Sequence, residues 1–211
     1  MRAVIFVNGE LEEQHGVHNV TATADLIIAA DGGANHCARL GITPDILIGD
    51  LDSIDPVTLA TYRKNKVVIE RHPVRKDATD LELAVDFALK ENVSSLHILA
   101  ALGGRWDMSL ANILLLANSK YKSISITLES HDNSMRILHP GTNVIDGKKG
   151  QRVSLLPLQG DAMEVSLIGF EYPLAEQDIS FGSTLGVSNV LINTSGTIKH
   201  KGGILLAIFQ N

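Results

Sequence analysis

The stretch ILIGDLDSI, residues 46–54, joins an apolar run to two acidic residues. The run ILIG lacks polar alternation, which is typical of a strand buried on both faces of a parallel sheet. Asp50 and Asp52 follow it directly and are expected at the carboxyl end of that strand. If Leu51 is extended, both carboxylates point to the same side. Two like charges this close repel unless a cation lies between them, so the stretch also suggests a metal site.

Further apolar runs of strand length alternate with helix-like segments through about residue 128. After Asp80, the apolar residues of the segment 81–89 follow the spacing of one helical stripe. The dipeptide Asp55-Pro56 predicts a helix start, with a cap followed by proline. This alternation predicts an α/β fold with an open, mostly parallel sheet in a domain at residues 1–130. The runs are AVIFV (3–7), LIIAA (26–30), VVI (67–69), LHILAAL (96–102) and SISITL (123–128).

From about His131 the pattern changes to short apolar segments separated by turn-forming residues. The segments RVSLL, MEVSLI, SNVLI and GILLAIF have strand length, and no helical stripe occurs among them. Such spacing indicates antiparallel strands. We therefore predict a small all-β domain, a sandwich or a barrel, at residues 131–211.

Composition narrows the range of partners. The chain has 211 residues, 45% of them hydrophobic, with a formal net charge of -6 and 4% aromatic residues. Low aromatic content and negative charge argue against a nucleic-acid partner. The first apolar run is too short to cross a bilayer, so no membrane partner is expected. Cys37 is the only cysteine, which excludes an internal disulfide and favours a cytoplasmic location.

Polar clusters follow several of the predicted strands. DGGAN (31–35) follows LIIAA, GGRWD (103–107) follows LHILAAL, and KDATD (76–80) opens a helix. In open α/β sheets, ligands bind beyond the carboxyl ends of the strands. Each cluster also has a structural explanation: Thr79 with Glu82 forms a capping box, and Asp107 could cap the helix that follows.

The acidic residues favour magnesium. Asp77 and Asp80 lie three residues apart at a helix start and join Asp50 and Asp52 as candidate ligands. Hard oxygen ligands without a cysteine or histidine cluster prefer Mg²⁺ to a transition metal. Glycine-rich turns at helix N-termini favour a phosphorylated ligand, with ATP as the first candidate. Neither GxxxxGK[ST] nor GxGxxG occurs, which disfavours P-loop kinases and dinucleotide-binding dehydrogenases.

Three segments together resemble the thiamine pyrophosphokinase family, and GSTLGVSN (182–189) extends the resemblance over nearly the whole chain. The segments are DGGANHCARLGITPDILIGDLDSI (31–54), KDATDLELAVDFAL (76–89) and ALGGRWDMSLANILLL (101–116). The resemblance implies transfer of pyrophosphate from ATP to thiamine, giving thiamine diphosphate and AMP. It also implies an α/β nucleotide domain, a β-sandwich, and a homodimer with the active site at the subunit interface.

The resemblance also implies roles for individual residues. The matching magnesium ligands are Asp50, Asp52 and Asp77, with Asp80 as support. Asp107 matches an acidic position of the family, and its carboxylate could orient or deprotonate the thiamine hydroxyl. The expected ATP contacts are Asp31, Gly32, Gly33, Asn35, Ser53, Lys76, Thr79 and Arg105, and the expected thiamine contacts are Ser188 and Asn189.

The chain departs from the family pattern at two positions. Met108 stands where many relatives have histidine, and Leu51 stands where an aromatic residue is usual. Neither departure removes a metal ligand. Two alternatives remain open on residue chemistry: a magnesium-dependent hydrolase of nucleotides or phosphoesters, and a noncatalytic nucleotide-sensing module.

Overall fold

The computed structural model describes residues 1–11 and 15–210, without the side chain of residue 15. The chain forms two compact units. The first comprises Met1–Leu116 and Ser123–His131, and the second comprises Ala117–Lys122 and Asp132–Asn211. The fold as a whole is of the mixed α/β kind, with a mostly parallel sheet and a separate antiparallel sheet.

The described residues of the first unit form six strands and five helices that alternate along the chain. The strands lie side by side in the order β6-β5-β1-β2-β3-β4, and every neighbouring pair is parallel. The strands are β1 (Arg2–Phe6), β2 (Leu26–Ala30), β3 (Ile46–Gly49), β4 (Val68–Arg71), β5 (Ser95–Leu99) and β6 (Ser125–Glu129). The helices are α1 (His15–Ala22), α2 (Gly33–Arg39), α3 (Pro56–Lys64), α4 (Asp80–Lys90) and α5 (Trp106–Leu116).

Local sequence explains where several of these elements begin and end. Asp55 caps α3 as predicted, because its Oδ1 accepts hydrogen bonds from the N–H groups of Val57 and Thr58. Strand β2 coincides with the predicted run LIIAA. By contrast, β5 ends before the end of the predicted run 96–102, because Ala100 adopts a left-handed conformation with φ +57° that interrupts an extended strand.

The core of the first unit lies between the sheet and its helices. The predicted stripe of α4 is largely confirmed, since its buried residues are Leu81, Ala84, Val85 and Ala88. Cys37 on α2 is fully buried, and burial raises the pKa of its thiol to about 12. This thiol is therefore protonated and unreactive at neutral pH.

The strand order places a switch point inside the first sheet. The chain runs from β1 through β2 and β3 to β4 in one direction, and it returns to the opposite side of β1 with β5. Loops that leave β1 and β5 therefore diverge at the carboxyl ends of the strands. Such a crevice is where open α/β sheets bind their ligands.

The second unit is built from antiparallel strands and a short 3₁₀ turn (Ser119–Tyr121). Strands β12, β9, β14 and β7 are neighbours in that order, and a separate four-stranded sheet has the order β11-β10-β13-β8. One buried apolar cluster contains residues of both layers, including Leu155, Val165 and Phe209. The strands are β7 (Asn133–Leu138), β8 (Gly141–Asp146), β9 (Arg152–Pro157), β10 (Ala162–Ile168), β11 (Leu174–Ile179), β12 (Asn189–Val190), β13 (Ser195–His200) and β14 (Leu205–Gln210).

Within the described part of the chain, no helix combines the length and the apolar character that crossing a membrane requires.

Candidate functional site

Three carboxylates meet at the carboxyl ends of β2 and β3. One carboxylate oxygen from each of Asp31, Asp50 and Asp52 lies within 4.8 Å of the others, and we call this group the carboxylate cluster. Asp31 follows β2, whereas Asp50 and Asp52 follow the adjacent parallel strand β3. The clustering of Asp50 with Asp52 is as predicted. Asp31, which sequence analysis placed on the nucleotide, belongs to the same group.

The backbone of this loop differs from the expectation. Leu51 is not extended, because its φ is +72° and its side chain is buried. The chain therefore turns at Leu51, and the N–H of Asp52 donates to Oδ1 of Asp50 at 3.2 Å. This hydrogen bond holds the pKa of the Asp50 carboxyl below its ordinary value, since it favours the ionised form.

Asp31 is an unsatisfied buried acid. Its side chain is 7% exposed, and its Oδ1 has no hydrogen-bond partner among the described residues. A buried acceptor without a partner costs about 1–3 kcal/mol, and more when it is charged. A cation bound between the three carboxylates would satisfy it. The oxygen-only donor set fits Mg²⁺.

Lys76 neutralises part of the surrounding charge. Its Nζ lies 2.7 Å from Oδ1 of Asp80 and 3.6 Å from Oδ2 of Asp50, and its side chain is mostly buried. Burial opposes the charge of Lys76, but the two carboxylates outweigh that effect and raise the pKa of its ammonium group. The pKa of Asp80 is raised, chiefly by burial and further by the charges of Asp31 and Asp50.

Gly49 allows the acids to approach one another. A Cβ at this position would lie 2.9 Å from Oδ1 of Asp80 and 3.1 Å from Cβ of Asp31. Its φ of +145° is also unfavourable for any residue with a side chain. The last residue of β3 is therefore glycine because Asp31 and Asp80 pack against its Cα.

Asp77 lies outside the carboxylate cluster. It is exposed, in the loop before α4. Its predicted role as a metal ligand stays a prediction.

Several predicted nucleotide contacts have structural hydrogen bonds. Thr79 caps α4, because its Oγ1 accepts from the N–H of Glu82 at 3.2 Å. Asn35 donates from Nδ2 to the carbonyl of Ser53 and accepts at Oδ1 from the N–H of Asp55, both at 2.9 Å. The hydroxyl of Ser53 donates to Oδ1 of Asp52 at 2.9 Å. The bonds of Asn35 and Ser53 hold the loop that carries Asp50 and Asp52. Contact with a nucleotide stays a prediction for Thr79, Asn35 and Ser53.

Arg105 and Asp107 form an exposed ion pair. Nε and Nη2 of Arg105 donate to the two oxygens of Asp107 at 3.2 and 2.5 Å. The hydrogen bonds from Arg105 hold the pKa of the Asp107 carboxyl below its ordinary range. Both side chains are mostly exposed, so an incoming anion can compete for Arg105 at little cost.

A pocket of about 340 Å³ lies at the switch point between β1 and β5. Its walls come from the segments that follow the two strands, residues 7–10, 100–101 and 103–105, together with Met108 and Asn112 of α5. Sequence analysis missed Asn8, Gly9 and Glu10. The available signal was their position, since they directly follow the first predicted strand, as the other polar clusters follow theirs.

The pocket adjoins the loop of the carboxylate cluster. A Cβ on Gly32 would lie 2.2 Å from Oδ1 of Asn8, so the pocket-lining amide packs against the residue next to Asp31. On the other wall, a Cβ on Gly103 would lie 2.6 Å from Cδ of Glu10. The pocket therefore has the carboxylate of Glu10 in one wall, and its Asn8 amide lies beside the residue that follows Asp31.

Ser188 and Asn189 lie in the second unit. The amide of Asn189 is hydrogen-bonded there: Nδ2 donates to the carbonyl of Tyr172, and Oδ1 accepts from the N–H groups of Tyr172 and Val190. Ser188 is exposed, has φ +60°, and donates from its N–H to Oγ of Ser154. Their predicted contact with thiamine stays a prediction.

Two protein-family descriptions match the chain. The thiamin pyrophosphokinase catalytic domain matches residues 17–128, and the thiamin pyrophosphokinase vitamin B1 binding domain matches residues 142–205. The chain is 36% identical over 184 residues to the thiamine pyrophosphokinase of Bacillus subtilis (strain 168). This alignment covers 87% of the chain and 86% of that protein. It is 28% identical over 213 residues to thiamine pyrophosphokinase 2 of Arabidopsis thaliana, covering 88% and 78%. A crystal structure of thiamine pyrophosphokinase from Bacillus subtilis superimposes with a TM-score of 0.88 at 32% identity, covering 100% of this chain and 99% of that one.

Proposed function

Because this chain belongs to the thiamine pyrophosphokinase family, we propose that it transfers the terminal pyrophosphoryl group of ATP to thiamine, giving thiamine diphosphate and AMP. The observation that carries the proposal is the family match over residues 17–128, because that segment contains the whole carboxylate cluster together with Arg105 and Asp107. In this reaction the thiamine hydroxyl oxygen bonds to the β-phosphorus, the bond from that phosphorus to the oxygen of AMP breaks, and the hydroxyl proton is released.

Mg²⁺ is the proposed metal. Asp31, Asp50 and Asp52 would hold it, and the unsatisfied Oδ1 of Asp31 is the structural support for this assignment. Asp77 is added as a ligand by family resemblance. When bound, the ion supplies positive charge to the triphosphate oxygens, which is the main requirement of phosphoryl-type transfer.

The nucleotide is proposed to lie across the first unit. The base and ribose occupy the pocket between the ends of β1 and β5, and the phosphates extend past Gly32 toward the carboxylate cluster. Arg105 would exchange part of its pairing with Asp107 for phosphate oxygens, and Lys76 would share its charge between Asp80 and the phosphates. These basic groups reduce the repulsion between the triphosphate and the acids.

Asp107 is proposed to orient the thiamine hydroxyl. In a loose transition state, the attacking alcohol loses its proton late, so the position of the carboxylate matters more than its basicity. Its pKa is already lowered by Arg105, which makes it a weak base. Ser188 and Asn189 are proposed to contact the thiamine. A homodimer with the active site at the subunit interface is proposed from the family resemblance. A cytoplasmic location is proposed because the chain has a single cysteine.

Product analysis tests the proposed function against hydrolysis. The purified protein is incubated with ATP and Mg²⁺, with and without thiamine, and AMP, ADP and thiamine diphosphate are separated by chromatography. The proposed transfer requires AMP to form in step with thiamine diphosphate and only when thiamine is present. Formation of AMP or ADP at the same rate without thiamine would identify a hydrolase, and ATP binding without any turnover would identify a noncatalytic module.

A further inference from the structure

Helix α5 buries polar side chains, which is unusual for a helix that packs on a sheet. Its buried residues are Ser109, Asn112 and Leu116, and the first two are only 7% and 3% exposed. Buried polar groups persist where hydrogen bonds satisfy them. Here the partners all belong to one segment, residues 101–105, which precedes α5. We call this segment the 101–105 loop.

The 101–105 loop is held from the α5 side by these two residues. The hydroxyl of Ser109 accepts from the N–H of Gly103 at 3.1 Å and donates to the carbonyl of Arg105 at 3.0 Å. Nδ2 of Asn112 donates to the carbonyl of Ala101 at 2.7 Å. Alternate residues of the loop, at 101, 103 and 105, are therefore bonded to side chains of α5.

The opposite side is held by the extension of β1. The N–H of Gly9 donates to the carbonyl of Ala100 at 2.7 Å, and the N–H of Glu10 donates to the carbonyl of Leu102 at 2.9 Å. These bonds engage Leu102 of the loop and Ala100 directly before it. The loop is thus bonded on one side by backbone and on the other by Ser109 and Asn112.

The loop needs this support because two of its five residues are glycines. Gly103 and Gly104 have φ values of +93° and +66°, which glycine adopts without strain, and Ala100 directly before the loop has φ +57°. Because glycine restricts its own backbone little, the segment has little intrinsic preference for one shape. Arg105 ends this segment, and the loop forms a wall of the pocket at the switch point.

We infer that Ser109 is a positioning residue for phosphate recognition: its hydroxyl fixes the 101–105 loop so that Arg105 faces the ATP phosphates, and Asn112 fixes the start of the same loop. Ser109 contacts the loop backbone and acts on the substrate through Arg105. Because the role of Arg105 as a phosphate contact rests on the proposed function, the test includes a measurement that does not depend on turnover.

A double-mutant cycle tests the inference. Ser109→Ala removes both hydroxyl bonds with little change in volume, and we expect kcat/KM for ATP to fall about tenfold, which corresponds to about 1.4 kcal/mol. In an Arg105→Ala background the same change is expected to cost less than about twofold, because the group that Ser109 positions is gone. Ser109→Thr, which keeps the hydroxyl, should retain wild-type kcat/KM. Ser125→Ala, at an exposed serine of β6, is the matched control and should change nothing.

The structural measurement uses Trp106, the only tryptophan, which is 88% exposed and adjacent to Arg105. Its fluorescence anisotropy in the ligand-free protein should fall in Ser109→Ala, because the loop beside it becomes more mobile, and should stay unchanged in Ser125→Ala. If Ser109→Ala fails to fold, Ser109→Cys, with a weaker hydrogen-bonding group of similar size, takes its place and should show a smaller fall in both measurements.

Two results would overturn the inference: kcat/KM of Ser109→Ala within about twofold of wild type, or the full tenfold loss persisting in the Arg105→Ala background. If the wild-type protein makes no thiamine diphosphate, the proposed function fails, and the anisotropy alone decides. A lower anisotropy in Ser109→Ala would then support the positioning of the loop, and an unchanged value would refute it.

Discussion

Replacement of Asp31 by Asn should stabilise the metal-free protein and abolish its response to magnesium. The carboxylates of Asp31, Asp50 and Asp52 approach within 4.8 Å. Two unit charges at that distance repel by about 3 kcal/mol at an effective dielectric constant of about 20, and by about 1 kcal/mol in water. Solvent screens the charge of the exposed Asp52, and the ammonium group of Lys76 lies 3.6 Å from the carboxylate of Asp50. Both the solvent and the positive charge reduce the repulsion between the carboxylates.

From these values we expect a net gain of about 2 kcal/mol in the free energy of unfolding of Asp31→Asn, or roughly 4–8 °C in Tm for a chain of this size. Turnover should fall at least about a hundredfold, because a ligand of the metal is lost. Thermal unfolding is measured in EDTA and again with increasing MgCl₂. Wild type should gain Tm with Mg²⁺, and the variant should not.

Asp146→Asn, an acid-to-amide change at an exposed residue of the second unit, is the matched control and should behave as wild type. The same titration on Asp77→Asn decides whether that exposed carboxylate also binds the ion. Wild-type turnover of Asp31→Asn, together with an unchanged Mg²⁺-dependent rise in Tm, would show that Asp31 is not a ligand of the metal.

Three further changes probe the surroundings of the site. Gly49→Ala should lower the free energy of unfolding, measured in urea, by about 2–4 kcal/mol. The new Cβ would meet Asp80, and a φ of +145° is strained for alanine. A loss below about 0.5 kcal/mol would contradict the close packing at Gly49. Thr79→Ala should cost about 1 kcal/mol in urea unfolding, because Thr79 caps α4. The KM for ATP should rise as well if Thr79 contacts the nucleotide as predicted. An unchanged free energy of unfolding would contradict the capping role. The pKa of Asp50 in the folded protein lies below its ordinary value of 3.8. The ionised carboxylate therefore stabilises the fold above pH 3.8, and this stabilisation is lost as the pH falls through the folded pKa. The urea midpoint of wild type should therefore drop more steeply between pH 5 and about pH 3 than that of Asp50→Asn, and parallel curves would show that Asp50 makes no such contribution.

Much of the first unit could be predicted from residue patterns. LIIAA and ILIG form strands at the predicted positions, because a strand covered on both faces needs a continuous apolar run. The end of β5 could not be predicted in the same way. Ala101 and Leu102 continue the apolar run, but the left-handed Ala100 turns the chain before them, and such a conformation at alanine has no signal in residue type.

The candidate site was predicted in part. Asp50 and Asp52 cluster as expected, although Leu51 has a left-handed conformation that the prediction did not include. The inclusion of Asp31 depends on the adjacency of β2 and β3 and on the close packing at Gly49, and both are properties of the assembled sheet.

Residue type alone also could not separate binding from structural roles. Asn35 and Asn189 are both suited to hydrogen bond a ligand, yet both amides are engaged with neighbouring backbone groups. Ser109 and Asn112 lie in a segment that was quoted for its family resemblance, and their bonds to the 101–105 loop emerge only from the packing of α5. Such roles depend on which backbone groups the fold leaves unpaired.

ATP is proposed to bind at the carboxylate cluster and to pass its β- and γ-phosphates together to thiamine. Phosphorus-31 NMR of a reaction containing ATP, thiamine and Mg²⁺ follows both phosphates through this transfer. The signals of AMP and thiamine diphosphate should rise at equal rates from the first time point, and neither should rise in Asp50→Asn. The appearance of ADP with thiamine monophosphate, or of AMP with free pyrophosphate, would rule out the transfer of both phosphates as one group.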